Sequence, residues 1–272
     1  MNKLNLSVAI ATYNEENNIK RCLGSLAGLA DEIIIVDGES SDNTVNIAKS
    51  FPKTKIIHTD NKPMFHINKQ MAIDACKGKW ILQLDADEVV SSKLKDEIIT
   101  IITKDIDQVK HNAYWINRKN YFLTAFLTKG GVYPDPTIRL YKNGKAKLPC
   151  LSVHEQAVVK GSVGHLANDL EHYADPTFSR YLSRNNRYTT LMAQEMLDQK
   201  VSTNFGNFLS YYLFKPLFWF LSTYFRHKGF VDGFPGFVFS YFSALRFPIA
   251  YTKYWELKYG HEKLNILSDW DK

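Results

Sequence analysis

Six residues, Glu32-Ile-Ile-Ile-Val-Asp37, constrain the fold of this chain more than any others. An apolar run that short, closed by a carboxylate and Gly38, reads as a strand buried on both faces. Both faces are covered when helices cross over a parallel sheet. The flanking sequence supplies such crossovers. Leu6 to Ala11, Lys55 to His58 and Trp80 to Asp85 are β-prone, and helical patterns run over Ile19 to Leu29, Asn43 to Ser50 and Ile67 to Cys76. Strands alternating with helices of about ten residues predict βαβ units, whose ligands bind beyond the strands' carboxyl ends. Three of those ends are polar: Ala11-Thr12-Tyr13, Val36-Asp37-Gly38 and Leu84-Asp85-Ala86-Asp87. Farther on, a helix is predicted over Ser92 to Thr103, strands over Tyr114 to Asn117 and Thr137 to Tyr141, and a long amphipathic helix over Phe178 to Gln199.

Composition narrows the functions open to such a chain. With 272 residues, 45% of them hydrophobic and 23% charged, the chain suffices for one large domain or for one domain carrying an appendage, and a disordered or fibrous sequence is a poor reading. Its net charge of +6 suits a phosphorylated ligand, nucleic acid or an anionic membrane. Cys22, Cys76 and Cys150 are odd in number and widely spaced, which favours a reducing compartment. The first strand runs straight into polar residues, unlike a secretion signal, and no apolar window is long enough to span a bilayer. A cytoplasmic protein is therefore expected. The composition changes after residue 200. Residues 205–259 carry 21 of the 37 aromatic side chains, with six basic residues against two acidic ones. That pattern fits helices lying in a membrane interface. A helical appendage packed on the rest of the chain, or on a second copy in a homodimer, is the alternative.

Among chemistry-bearing residues the strongest local signal is Asp85-Ala86-Asp87 at the end of an apolar strand. Carboxylates so placed suit a hard divalent cation, Mg²⁺ or Mn²⁺, completed by substrate phosphates. In the plainer alternative, Asp87 caps a following helix. Other classes lack their signatures: GxxxxGK[ST] and GxGxxG are absent, no Cys or His has zinc spacing, and Ser40-Ser41-Asp42 is no hydrolase elbow. The basic balance permits a nucleic-acid-binding protein, but the aromatics do not interleave with a basic stripe.

Four segments together carry a resemblance: Val8-Ala-Ile-Ala-Thr-Tyr-Asn-Glu-Glu16, Ile34-Ile-Val-Asp-Gly-Glu-Ser-Ser-Asp-Asn-Thr44, Lys69-Gln-Met-Ala72 and Trp80-Ile-Leu-Gln-Leu-Asp-Ala-Asp-Glu88. In this order they resemble family 2 glycosyltransferases of the GT-A fold. Tyr133-Pro-Asp, Arg139-Leu-Tyr-Lys142, Val153-His-Glu155, Gly229-Phe-Val-Asp-Gly233 and Lys253-Tyr-Trp-Glu256 are similar to the subgroup containing the lipopolysaccharide-core β-glucosyltransferases.

The resemblance implies a GT-A α/β catalytic domain over residues 1–200, with a Rossmann-like, mainly parallel sheet flanked by helices. Residues 1–90 would be its nucleotide-binding half and 91–200 its acceptor side. A helical aromatic segment, 201–272, would follow and associate with the membrane. Thr12, Tyr13, Glu15 and Asp37 would hold the nucleoside of a UDP-hexose, a carboxylate accepting the uracil N–H. Lys69 would lie near the diphosphate or serve only as an exposed helix lysine. Asp85 would touch donor sugar, ribose or a metal-bound water, and Asp87 would hold Mg²⁺ or Mn²⁺. Arg139 would pair with a phosphate or brace its loop. Inverting transfer needs a base on the acceptor side, for which Glu155 is the candidate and Asp135 the runner-up, while His154 would ligate the metal, contact phosphate or orient Glu155. The implied enzyme transfers glucose from UDP to a lipid-linked or envelope glycan such as lipopolysaccharide inner core, on the inner face of the cytoplasmic membrane. A polyprenyl phosphate acceptor is the second reading.

Overall fold

The computed structural model describes residues 5–62, 64–151 and 155–260. They form two compact units, Met1–Lys119 with Pro134–Tyr173 and Asn120–Tyr133 with Ala174–Lys272. The first unit is the βαβ assembly. Strands β1 (Leu6–Thr12), β2 (Glu32–Asp37), β3 (Thr54–His58) and β4 (Trp80–Asp85) lie parallel in the order β3-β2-β1-β4. Helices α1 (Glu16–Ser25), α2 (Thr44–Lys49) and α3 (Phe65–Asp74) connect them.

Period-two alternation gives each face of the sheet its own core. Val8, Ile10, Ile33, Ile35, Leu82 and Leu84 pack with Ile19 and Leu23 of α1 and with Leu94 and Ile98 of α4 (Ser92–Ile102). Ala9, Ile34, Val36 and Ile81 face the other way, onto Ala72 and Ile73 of α3. This is the mixed, mainly parallel α/β fold that the sequence predicts. The α1 pattern overruns, because Leu26 and Leu29 stay buried in the turn that follows the helix.

Further strands complete this unit: β5 (Glu88–Val90), β8 (Asp135–Lys142), β9 (Ala146–Lys147), β10 (Val158–Val159) and β11 (Val163–His165), with most of β6 (Ala113–Phe122) and of β12 (Leu170–Asp175). β8 runs antiparallel to β4 and to β6, and β5 pairs with β12 through Val90 and Leu170. The chain therefore continues from Asp87 into a strand. Helix α4 begins at Ser92 and is capped by Ser91, whose hydroxyl accepts from the Leu94 N–H. The helix-capping alternative for Asp87 is thereby removed.

The second unit holds the end of β6, β7 (Ala125–Phe126) and the helices α5 (Phe178–Asp198), α6 (Phe205–Leu209), α7 (Lys215–Leu221), α8 (Gly233–Ala244) and α9 (Arg246–Tyr259). Within it α5 packs with α9. Ala193 and Met196 share a core with Tyr251 and Tyr254, and Lys253 donates to the Asn186 carbonyl at 2.6 Å and to Thr190 at 2.8 Å. Between α6 and α7, and after α7, residues 210–214 and 222–226 form wider π-type turns. No helix among the described residues is long and apolar enough to cross a membrane. The aromatic side chains divide: some pack inside the unit, as Phe122 does on Tyr181 and Phe239, while Phe205 and Phe218 are 73% and 68% exposed. All three cysteines are free thiols.

Gly229-Phe-Val-Asp-Gly233 is an anchor within this unit. The Asp232 carboxylate accepts from the Thr128 hydroxyl at 2.6 Å and from the Thr128 and Lys129 N–H groups at 3.0 and 2.8 Å. A Cβ on Gly236 would sit 2.0 Å from the Gly229 carbonyl, so two backbones meet where only glycine fits. Asp232→Ala is expected to cost about 2–3 kcal/mol, since these bonds go to a charged acceptor. Chemical denaturation measures it, and a loss below about 1 kcal/mol would show the anchor to be idle.

Candidate active site

The site lies in the first unit, beyond the carboxyl ends of β1, β2 and β4. Register places the strand ends side by side: Thr12 is opposite Asp37, and Ala11 opposite Asp85. Asp37 is 1% exposed and takes three hydrogen bonds, which leaves acceptor capacity on its two oxygens. One oxygen accepts from the Thr12 and Ser40 hydroxyls at 3.1 and 2.6 Å, and the other from the Ser40 N–H at 3.0 Å. His58 lies 3.9 Å from that second oxygen.

The loops after β1 and β2 are stapled to each other. Asn14, at φ 53°, gives its N–H to Ser40 and takes the Ser41 N–H on its side chain. Asp42 accepts from the Glu16 N–H while Glu16 accepts from the Asn43 N–H, so each carboxylate caps the helix of the other loop. Glu15 donates its N–H to the Thr44 hydroxyl, and its carboxylate accepts from Asn18 at 2.7 Å. Tyr13 stands exposed at the rim of this pair of loops.

Beyond β4 the charges alternate. Lys69 contacts one oxygen of Asp85 at 2.5 Å, and Arg139 the other at 2.7 Å. Arg139 continues to Glu88 at 2.5 Å and donates to Gln83. Arg118 lies 3.7 Å from Glu88 and 2.8 Å from Asp135. Asp135, Arg118, Glu88, Arg139, Asp85 and Lys69 thus form one chain of alternating sign. Glu88 is wholly buried, and its second oxygen accepts from the Asp85 N–H at 2.9 Å. Burial raises the Asp85 carboxyl, but the Arg139 and Lys69 charges outweigh it and hold Asp85 well below the usual carboxylate range.

Several expectations sharpen here. Lys69 is not an exposed helix lysine: its side chain is mostly covered and paired. Arg139 is buried with its fork on three side chains of the protein, Gln83, Asp85 and Glu88. Glu155 is held by the Cys150 and Leu151 N–H groups at 2.5 and 2.9 Å and lies 3.6 Å from His66. His154 lies outside the described residues. Asp87 faces His172 at 3.5 Å. Burial lowers that imidazole's proton affinity, and the Asp87 charge more than restores it, so its pKa is raised.

Sequence reading missed Glu88 as a buried hub, together with Arg118, Gln83, His66 and His172. Only Glu88 carried a signal, as a third carboxylate beside Asp85 and Asp87. Among the described residues no three His, Cys, Asp or Glu side chains form a ready cage. Mg²⁺ and Mn²⁺ need no such cage, since they keep waters and take substrate phosphates alongside one or two carboxylates. Asp87, a partly accessible hard oxygen donor with His172 beside it, fits that use.

Comparison with known proteins settles the family. The model described as Glycosyl transferase family 2 matches residues 7–164. The chain belongs to glycosyl transferase family 2. Relatives in this family cover most of its length. A glycosyltransferase of Rickettsia typhi is 30% identical over 244 residues, 86% of this chain and 80% of that one. The lipopolysaccharide core biosynthesis glycosyltransferase LpsC of Rhizobium meliloti is 27% identical over 256 residues, 90% of this chain and 92% of its own. Among solved structures, residues 1–349 of TarS from S. aureus in complex with UDP-GlcNAc superpose with a TM-score of 0.47 at 16% identity, covering 92% of this chain and 88% of that one. As a family 2 member the chain is a glycosyltransferase.

Proposed function

We propose that this glycosyltransferase moves glucose from UDP-glucose, with inversion, to a lipid-linked envelope glycan of the lipopolysaccharide inner-core type. One observation carries the reading: Thr12, Asp37, Lys69, Asp85 and Asp87 converge beyond three adjacent strand ends. Similarity to LpsC, a lipopolysaccharide core biosynthesis glycosyltransferase, over nearly the full length of both chains supports the acceptor class.

Asp37 accepts the uracil N–H beside Thr12, with Glu15 and Tyr13 flanking the nucleoside. Lys69 leaves Asp85 for the diphosphate, freeing an Asp85 oxygen for the donor sugar or ribose. Asp87 would hold Mg²⁺ or Mn²⁺, which when bound neutralises the charge of the departing diphosphate. Glu155 removes the proton of the acceptor hydroxyl, assisted by His154. The oxygen then attacks the anomeric carbon and the bond from that carbon to the diphosphate oxygen breaks, the diphosphate leaving with the electron pair. A single displacement inverts the carbon and needs no protein nucleophile. The aromatic, basic segment 205–259 holds the enzyme peripherally on the inner face of the cytoplasmic membrane.

The donor is tested by thermal stabilisation with UDP, GDP, CMP and ADP, with and without Mn²⁺. Saturation at a hundredfold over Kd stabilises a protein by about 2.7 kcal/mol. UDP is expected to stabilise the wild type only with Mn²⁺, and Asp87→Ala to lose the effect. Equal shifts with all four nucleotides would refute the uridine assignment, and an unchanged shift in Asp87→Ala would refute the metal role. Product analysis separates the acceptors, because a sugar joined to polyprenyl phosphate is acid-labile and a glycoside is not.

A further inference from the structure

Helix α6 and the π-type turn after it wall a cavity of about 520 Å³ against α9 in the second unit. Phe205, Phe208, Tyr212, Tyr251 and Trp255 line it, with Thr252 at its edge. The rings form one connected surface. The centroids of Phe208 and Tyr212 are 4.9 Å apart, and those of Tyr212 and Tyr251 6.0 Å. We propose that this cavity takes the acyl chain of a membrane lipid. The proposal rests on the membrane reading of segment 205–259 and adds a site to it.

The polar atoms around the cavity decide what can enter. The Tyr212 hydroxyl is closed on that of Thr252 at 2.6 Å, and the Thr203 hydroxyl on that of Tyr259 at 2.6 Å. Asn204 spends its side-chain oxygen on the Asn207 N–H at 2.8 Å, as the cap of α6. What remains for a ligand is ring surface and the Tyr251 hydroxyl, which is buried without a hydrogen-bond partner among the described residues. A sugar or a peptide needs several directional partners for its own polar groups and would lose most of them here, whereas hydrocarbon loses nothing.

The surroundings name the source of that hydrocarbon. Farther along the same stretch of chain, Phe214, Leu217, Phe218, Leu221 and Phe225 are exposed too. Trp255, half exposed at the rim, is of the amphipathic type that settles at lipid headgroup level. Lys215 sits over the Tyr211 ring at 3.4 Å, in a segment with three times as many basic as acidic residues, so an anionic headgroup meets matching charge. An acyl chain drawn from an anionic leaflet satisfies the cavity, the stripe and the charge together.

The test separates chain binding from bilayer binding. Monomeric dodecanoic acid brominated at its terminal carbon is titrated into the full chain, and tryptophan fluorescence is read. Bromine quenches an indole on contact. The expected quench saturates at one probe per chain, disappears largely in Trp255→Phe, and weakens in affinity by about tenfold or more in Phe208→Asp, where a charge enters the wall. A quench that never saturates, or that Trp255→Phe leaves intact, overturns the proposal. Flotation with vesicles of equimolar phosphatidylcholine and phosphatidylglycerol judges the membrane reading separately. A chain that floats but shows no saturable quench keeps its membrane association and loses the cavity site. One that neither floats nor quenches loses both.

Discussion

Glu88→Ala is expected to destabilise the first unit by about 3–5 kcal/mol, the cost of stripping one partner from a buried ion pair. Glu88 is wholly buried between Arg139 and Arg118, and Arg139 is itself nearly inaccessible. Without the carboxylate, Arg139 keeps its charge with Asp85 alone, and the Asp85 N–H loses its acceptor. The two effects reinforce each other, because Asp85 ends β4 at the centre of the candidate site. Urea unfolding should show a lower midpoint with an unchanged slope, and the melting temperature should fall by roughly 10 °C. Glu88→Gln retains the shape and one acceptor oxygen, and should recover part of the loss. A loss below about 1 kcal/mol in Glu88→Ala would mean that the guanidinium groups find other partners.

The second large effect concerns turnover. Glu155→Gln should lower kcat by about 10²–10⁴, the usual contribution of a general base, while stabilisation by UDP with Mn²⁺ stays at the wild-type level. Amide and carboxylate have the same shape, and the single amide oxygen keeps one of the two N–H groups, of Cys150 and Leu151, that hold the two carboxylate oxygens. Proton abstraction is removed together with one loop hydrogen bond, and the stabilisation by UDP shows whether that bond matters. Asp135→Asn, which loosens the contact with Arg118, should change kcat only a few-fold. If the two variants exchange places, Asp135 is the base and Glu155 a loop anchor. The comparison uses one acceptor and saturating donor, so that kcat is read apart from KM.

The sequence made some of this architecture legible residue by residue and concealed the rest, for physical reasons. β2 and β4 match their predicted limits, because strands buried on both faces are written as continuous apolar runs. Asp37, Asp85 and Asp87 could be found because they end such runs. The partners of Asp85 could not. Lys69 comes from the other end of a crossover and Arg139 from an antiparallel strand 54 residues on, and pairing over such distances leaves no periodic trace. β5 escaped because three residues make no pattern, and its pairing partner β12 begins only at Leu170. The end of α1 was misplaced because Leu26 and Leu29 bury themselves without being helical, so burial and helicity parted there. In the second unit the aromatic pattern signalled helices, but not which rings face inward. That depends on the wider turns at 210–214 and 222–226, which rotate the apolar stripe out of a regular 3.6-residue phase.

The stapled loops after β1 and β2 bear on the thermodynamics of donor recognition. Asn14, Ser40, Glu16 and Asp42 lock the two segments to each other before any ligand arrives. A nucleoside entering beside Asp37 thus meets walls already in place, and little ordering entropy is charged against its affinity. Calorimetry of such an encounter carries the mark of a rigid receptor: a small heat-capacity change, set by the surface of the nucleoside itself and not by protein folding around it. At the proposed donor site, discrimination among bases would rest on shape fixed in advance, and an ill-fitting purine would be refused at the door instead of being accommodated.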